Sequence, residues 1–157
     1  MQRIIFLDID GVLNCQVFFE KRVKSTPIDK ADFYKSQLCT ERIEWLNSLC
    51  SKNDAVVVIS STWRKNKTVE QLQEILNNSG ATFKIIGKTG QNDTRIRGVE
   101  IAQYLWSLPT KYEYVIIDDD SDMLLQQQHN FFQTDCYAGL TPNICHQINL
   151  FFDNKTN

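Results

Sequence analysis

The sequence predicts an α/β protein: a doubly wound, mainly parallel sheet flanked by helices, with a minimal cap. Three observations predict it. Short continuous apolar runs recur along the chain, helical patterns lie between them, and the unusual polar residues fall where the runs end. An apolar run without polar alternation suits a strand buried on both faces. Strands joined through helices imply crossover connections. In such sheets ligands bind beyond the carboxyl ends of the strands, so the residues that end each run are the first candidates for function.

Taken in order, Arg3 to Leu7 is the first run and leads into Asp8. Residues 15–38, with Phe18-Phe19-Glu20-Lys21-Arg22 and Asp32-Phe33-Tyr34-Lys35, follow neither period and are expected to form a small insertion over the end of that strand. Ile43, Leu46, Leu49 and Cys50 then follow helical spacing, with Thr40 placed as an N-cap. Ala55 to Ile59 is the second strand and ends in Ser60-Ser61-Thr62. Thr68-x-x-Gln71 reads as a capping box before Leu72, Ile75 and Leu76, and Gly80 stands where a C-terminal cap belongs. A weaker run, Phe83 to Ile86, ends at Gly87. Ile101, Tyr104, Leu105 and Leu108 form another helical stripe, closed by Pro109. Tyr114 to Ile117 ends in Asp118-Asp119-Asp120, and Thr141-Pro142 opens a last helix carrying Ile144, Ile148 and Phe151.

The chain's 157 residues suit one domain, expected over 1–153, with the polar end 154–157 expected to be a flexible tail. A net charge of −2 excludes a large duplex-binding surface, which rests on many Lys and Arg contacts to phosphate. A local basic site remains open. No apolar run approaches the roughly 20 residues that span a bilayer, and the first one leads straight into acids, so the expected setting is the cytoplasm. The five cysteines (Cys15, Cys39, Cys50, Cys136, Cys145) are scattered, with no Cys-x-x-Cys pair, and indicate neither a disulfide framework nor a zinc site.

Phe6-Leu7-Asp8-Ile9-Asp10-Gly11-Val12-Leu13 carries the strongest chemical signal. Two carboxylates two residues apart at a strand end face the same way while the chain stays extended. A bound cation or a shared proton would offset their repulsion, and either separates their roles into nucleophile and acid/base. Asp118-Asp119-Asp120-Ser121-Asp122 gathers acids after another buried strand, which suits a hard cation with oxygen ligands, magnesium above all; negative charge at a helix N-terminus accounts for some of them equally. Ser60 could donate its hydroxyl to a phosphoryl oxygen, and Ser61 lies beside it. Arg64 could reach the same phosphate or stand in solvent. Trp63 could stack on a substrate ring or pack in the core. For the cation that would neutralise a transferring phosphoryl group, Arg97 is favoured, just ahead of the Ile101 stripe, with Lys88 as its rival. His129 and His146 show no partner pattern.

An acid pair, a hydroxyl, a cation and a second acid pair, in that order, resemble the haloacid dehalogenase superfamily of phosphatases. The resemblance rests on Asp8-Ile9-Asp10-Gly11-Val12-Leu13, Val57-Val58-Ile59-Ser60 and Val115-Ile116-Ile117-Asp118-Asp119. Ser60-Ser61-Thr62-Trp63-Arg64, Arg97-Gly98-x-Glu100-Ile101, and Thr134-Asp135 followed by Gly139-Leu140-Thr141 look more narrowly like the compact members found in RNA-repair proteins. The resemblance implies that Asp8 attacks phosphorus and binds Mg2+. Asp10 would protonate the leaving oxygen, then activate water, and lend its backbone carbonyl to the metal. Ser60 would hold a phosphoryl oxygen, and Asp119 with Asp118 would complete the metal site. The superfamily's third motif is usually lysine, and here Arg97 takes its place.

Only a small insertion separates Asp10 from the second strand, so the site is expected to be open, which suits the phosphorylated end of a polynucleotide. A nucleotidase or other small-molecule phosphatase is the alternative. From other classes, a phospho-acceptor signalling module places its acids differently along the sheet, and a silent metal-binding module has no need of Asp10.

Overall fold

The computed structural model describes residues 2–24, 26–110 and 112–154. Its strands are β1 (Arg3–Leu7), β2 (Ala55–Ile59), β3 (Ile85–Lys88), β4 (Glu113–Asp118) and β5 (Phe131–Gln133). They form one sheet in the order β3-β2-β1-β4-β5, every neighbouring pair parallel. The helices are α1 (Gln16–Lys21), α2 (Lys30–Ser36), α3 (Thr40–Asn53), α4 (Val69–Asn77), α5 (Arg97–Ser107) and α6 (Pro142–Asn154). The expected α/β class and parallel, doubly wound sheet are therefore present.

Strand parity divides the core. Ile5, Leu7, Val57, Ile59, Val115 and Ile117 pack on one face with α3, α4 and α6, through residues such as Leu46, Leu72 and Phe152. Ile4, Phe6, Val58 and Ile116 pack on the other with Ile101 of α5, and Tyr104 meets the Phe6 ring edge-on. Full burial of each large aliphatic side chain contributes roughly 1.5–3 kcal/mol, so the β1 run alone fixes the middle of the sheet.

Three boundaries differ from the expected ones. β3 starts later, at Ile85, and a register shift beside Val57/Val58 pairs Val57 with Ile85 and Val58 with Gly87. Gly87 thus lies inside the strand, where a Cβ would come 2.1 Å from the Tyr104 hydroxyl. Thr40 is the first residue of α3 rather than its cap, a position held by Cys39 without a side-chain bond. Asn154, expected in the tail, ends α6, while 155–157 lie outside the described residues. The Thr68–Gln71 capping box forms as the sequence indicates. Among the described residues no helix is long and apolar enough to cross a membrane.

Residues 15–38 carry α1 and α2, neither of which has a buried residue. A cavity of about 590 Å³, lined by Phe18, Pro27 and Phe33 among others, lies between them.

Candidate active site

Phe6 is in register with Val58 on one side and Ile116 on the other. Two residues on, where parity returns to the α5 face, stand Asp8, Ser60 and Asp118. The ladder continues to that point, since Asp8 N–H donates to Ile117 O (3.0 Å) and Ser60 N–H to Leu7 O (2.9 Å). Three adjacent strands thus present three polar residues at one level, all buried. Arg97 is the first residue of α5 and enters from the face these side chains share. Its guanidinium lies 3.5 Å from Asp8 Oδ1 and 3.6 Å from Asp118 Oδ2, and it also donates to Ser60 O.

Of the acids after β4, Asp120 or Asp122 was expected to serve a helix N-terminus, and Asp122 does so at α5. Its Oδ2 accepts from Arg97 N–H (2.8 Å) and its carbonyl from Gly98 N–H (3.2 Å), which places an acid at that helix's positive end. Gly98 permits the approach, because a Cβ there would come 2.5 Å from Leu124 N.

Asp8, Asp118 and Asp119 offer carboxylate oxygens that all lie within 4.8 Å of one another. Burial pushes the Asp8 carboxyl up to about 6 against the pull of Arg97. Burial, followed by the charge of Asp8, raises Asp118 to about 8. Asp119 is also raised, mainly by burial. Asp118 Oδ2 and Ser60 Oγ are buried with no hydrogen-bond partner among the described residues. Asp118 Oδ2, met only by the Arg97 ion pair inside a group of three acids, fits a hard divalent cation, and the unpartnered Ser60 hydroxyl, across β1 at the same level, fits an anionic ligand.

Asp10 stands apart from that group and is exposed. After Asp8 the chain turns, with Val12, Leu13 and Asn14 N–H groups all donating to Ile9 O. Asp10 Oδ1 accepts from Asn14 Nδ2 (2.8 Å) and Oδ2 from Trp63 Nε1 (3.0 Å). Trp63, weighed in the sequence as core or stacking residue, is half-buried and packs on Tyr34 of α2 while holding Asp10. Gly11, at φ +76°, lets the turn pass the Asp119 carboxylate, since a Cβ there would lie 2.3 Å from Oδ2. Thr134 braces the same turn: its hydroxyl donates to Gly11 O (2.8 Å) and its N–H to Asp118 O (2.9 Å).

Two expected substrate contacts are corrected. Arg64 is buried, and all five N–H donors of its guanidinium are spent. They go to the carbonyls of Thr89, Ser60, Ser61 and Gly90, and to Glu100 Oε2 at 2.5 Å. Lys88 donates to the carbonyls of Arg64 and Lys67, so Arg97 is the cation at the acids. Ser61 lies at the site, where its side chain favours the ionised Asp8 carboxylate, and it caps Thr62–Arg64 by accepting from Trp63 N–H. Replacing Glu100 with alanine leaves a buried guanidinium unpaired, and the expected cost is roughly 3–5 kcal/mol in denaturant unfolding. A loss under about 1 kcal/mol, the scale of an exposed ion pair, would mean the pair is idle.

Sequence reasoning passed over Asn14, Glu100 and Thr134 as working residues. Each belongs to a stretch with a readable signal: Asn14 follows Asp10 by four, and the other two sit in the narrower RNA-repair-like motifs.

A parallel sheet with an acid at the end of its central strand, a hydroxyl and a second acid at the same level, and a cation over them is the arrangement of the haloacid dehalogenase superfamily. Within it the chain belongs to the family described as HAD domain in Swiss Army Knife RNA repair proteins, whose model matches residues 4–144. No curated protein and no solved structure matches the chain.

Proposed function

We propose that the protein is a magnesium-dependent phosphomonoester hydrolase that works through an aspartyl-phosphate on Asp8, with a terminal phosphate of a polynucleotide as its substrate. The observation that carries the reading is the shared level of Asp8, Ser60 and Asp118 under the Arg97 guanidinium, with Asp119 completing the three carboxylates.

An Asp8 oxygen forms a bond to phosphorus as the bond to the leaving oxygen breaks, and Asp10 gives that oxygen its proton. Asp10, now ionised, takes a proton from water as the water oxygen attacks the aspartyl-phosphate. Inorganic phosphate leaves, and both acids return to their starting forms. Splitting one displacement into two is the gain of covalent catalysis. Ser60 Oγ, which has no partner among the described residues, donates to a phosphoryl oxygen, and Arg97 offsets the charge that Asp8 and the phosphoryl group bring together. Asp8, Asp118 and Asp119, with the Asp10 carbonyl, would hold Mg2+, which when bound would supply further charge neutralisation. The RNA-repair context in the family's description and the exposure of Asp10 favour a polynucleotide end.

A phosphate-release screen tests the proposal with 3′- and 5′-phosphorylated oligonucleotides, mononucleotides and phosphopeptides, with and without Mg2+. Release only from mononucleotides would overturn the substrate class, and metal-independent release would overturn the site.

The raised acids also give a pH prediction. Between the unfolded value near 3.8 and the folded values of about 6 and 8, the folded state binds more protons than the unfolded one. Stability of the metal-free protein therefore falls as pH rises through that window. The expected Tm without metal is higher at pH 5 than at pH 8, and added Mg2+ raises it more at pH 8. Equal metal shifts at both pH values would remove these carboxylates from the cation site.

A further inference from the structure

We infer that the departing part of the substrate lies along α1, in a groove that begins at Asp10 and ends at Lys24 and is built for a single-stranded polynucleotide rather than a lone nucleotide. The inference rests on the reaction proposed above, because it takes Asp10 as the group that meets the leaving oxygen.

The groove is shallow and open to solvent, offers about 840 Å³, and includes Asp10, Gly11, Gln16, Phe19, Arg22 and Lys24 in its lining. That is near the top of the range of roughly 300–1,000 Å³ for pockets that hold one small ligand. Gln16, Phe19 and Glu20, spaced i, i+3 and i+4, put one face of α1 along it. Six residues of helix carry the groove roughly 9 Å from the Asp10 end, beyond the reach of a single sugar.

Charge changes sign along this path. Asp10 opens it, Glu20 follows with its Oε1 accepting from Gln16 Nε2 (2.9 Å), and Arg22 and Lys24 close it, where the backbone phosphates that follow a bound terminal phosphate would arrive. Arg22 lies over the Phe19 ring at 4.6 Å and is tied to Ser36 O, giving a fixed plane of the kind on which unpaired bases stack. Lys24 is exposed, with no hydrogen bond or ion pair among the described residues, and is free to meet a phosphate.

Cys136 lines the same groove and provides the probe, because it is the exposed thiol while Cys15, Cys39, Cys50 and Cys145 are buried. Maleimide labelling of the Asp8→Asn protein is followed with Mg2+ and a phosphate-ended oligonucleotide, a mononucleotide or inorganic phosphate. Wild-type protein with a phosphonate-ended oligonucleotide gives the same readout without relying on the variant. The oligonucleotide is expected to slow labelling well below the rate with mononucleotide or phosphate. Lys24→Glu is expected to raise the oligonucleotide concentration needed by roughly tenfold. Lys52→Glu, the same charge change at the C-terminal end of α3, is expected to leave protection unchanged. Labelling as fast with oligonucleotide as with phosphate, or protection indifferent to Lys24→Glu, would overturn the groove. Phosphate release measured alongside separates the two ideas: turnover without protection sinks the groove alone, and no turnover of any phosphomonoester sinks the reaction and the groove with it.

Discussion

Asp8→Asn is expected to lower phosphate release by at least about a thousandfold, roughly 4 kcal/mol of transition-state stabilisation, in a protein that remains folded. An amide has no charged oxygen to attack phosphorus, and one carboxylate of the three-acid group is lost. The folded state is not put at risk. Asparagine matches aspartate in size, and burial already raises the Asp8 carboxyl to about 6, so removing its charge relieves a desolvation cost. The metal-free variant should therefore melt above the parent at pH 8 even as it loses activity. Turnover within tenfold of the parent in a well-folded variant would end the nucleophile assignment.

The second large effect is expected at Asp10, where a general acid or base is worth roughly 10²–10⁴-fold. Asp10→Asn separates the two half-reactions. A sugar hydroxyl needs its proton, so an oligonucleotide phosphate should fail at the first step, with no burst. Nitrophenolate leaves unaided, so p-nitrophenyl phosphate should give a burst of one product per enzyme followed by slow release, because water now lacks its base. Absence of that burst, with both substrates slowed alike, would reduce Asp10 to a residue that only shapes the loop.

The sheet was legible because β1, β2 and β4 are unbroken apolar runs whose burial leaves few alternatives. β3 was placed early because its boundary depends on a register shift and on the partnership of Gly87 with Tyr104, both set by distant residues. At the site, strand-end acids could be read from sequence, and so could Arg97 at the start of α5. The fate of Arg64 could not. A guanidinium beside a candidate phosphate site has the same local sequence whether it faces ligand or carbonyls, and only Glu100 on α5, with the carbonyls of Thr89 and Gly90, decides it. Trp63 was hidden likewise, since its bond to Asp10 bridges residues 53 positions apart.

The Arg64 knot and the cap over residues 15–38 give the two sides of the site unequal mechanical character. On one side a single guanidinium stitches β2, the segment after β3 and α5 together, so Ser60 and Arg97 are held by one stiff wall. On the other, α1 and α2 bury no residue and enclose space, so local opening there costs little. Ligands of different girth are expected to displace the cap side first, leaving Ser60 and Arg97 in place while Asp10, tied through Trp63 to Tyr34 of α2, follows the cap.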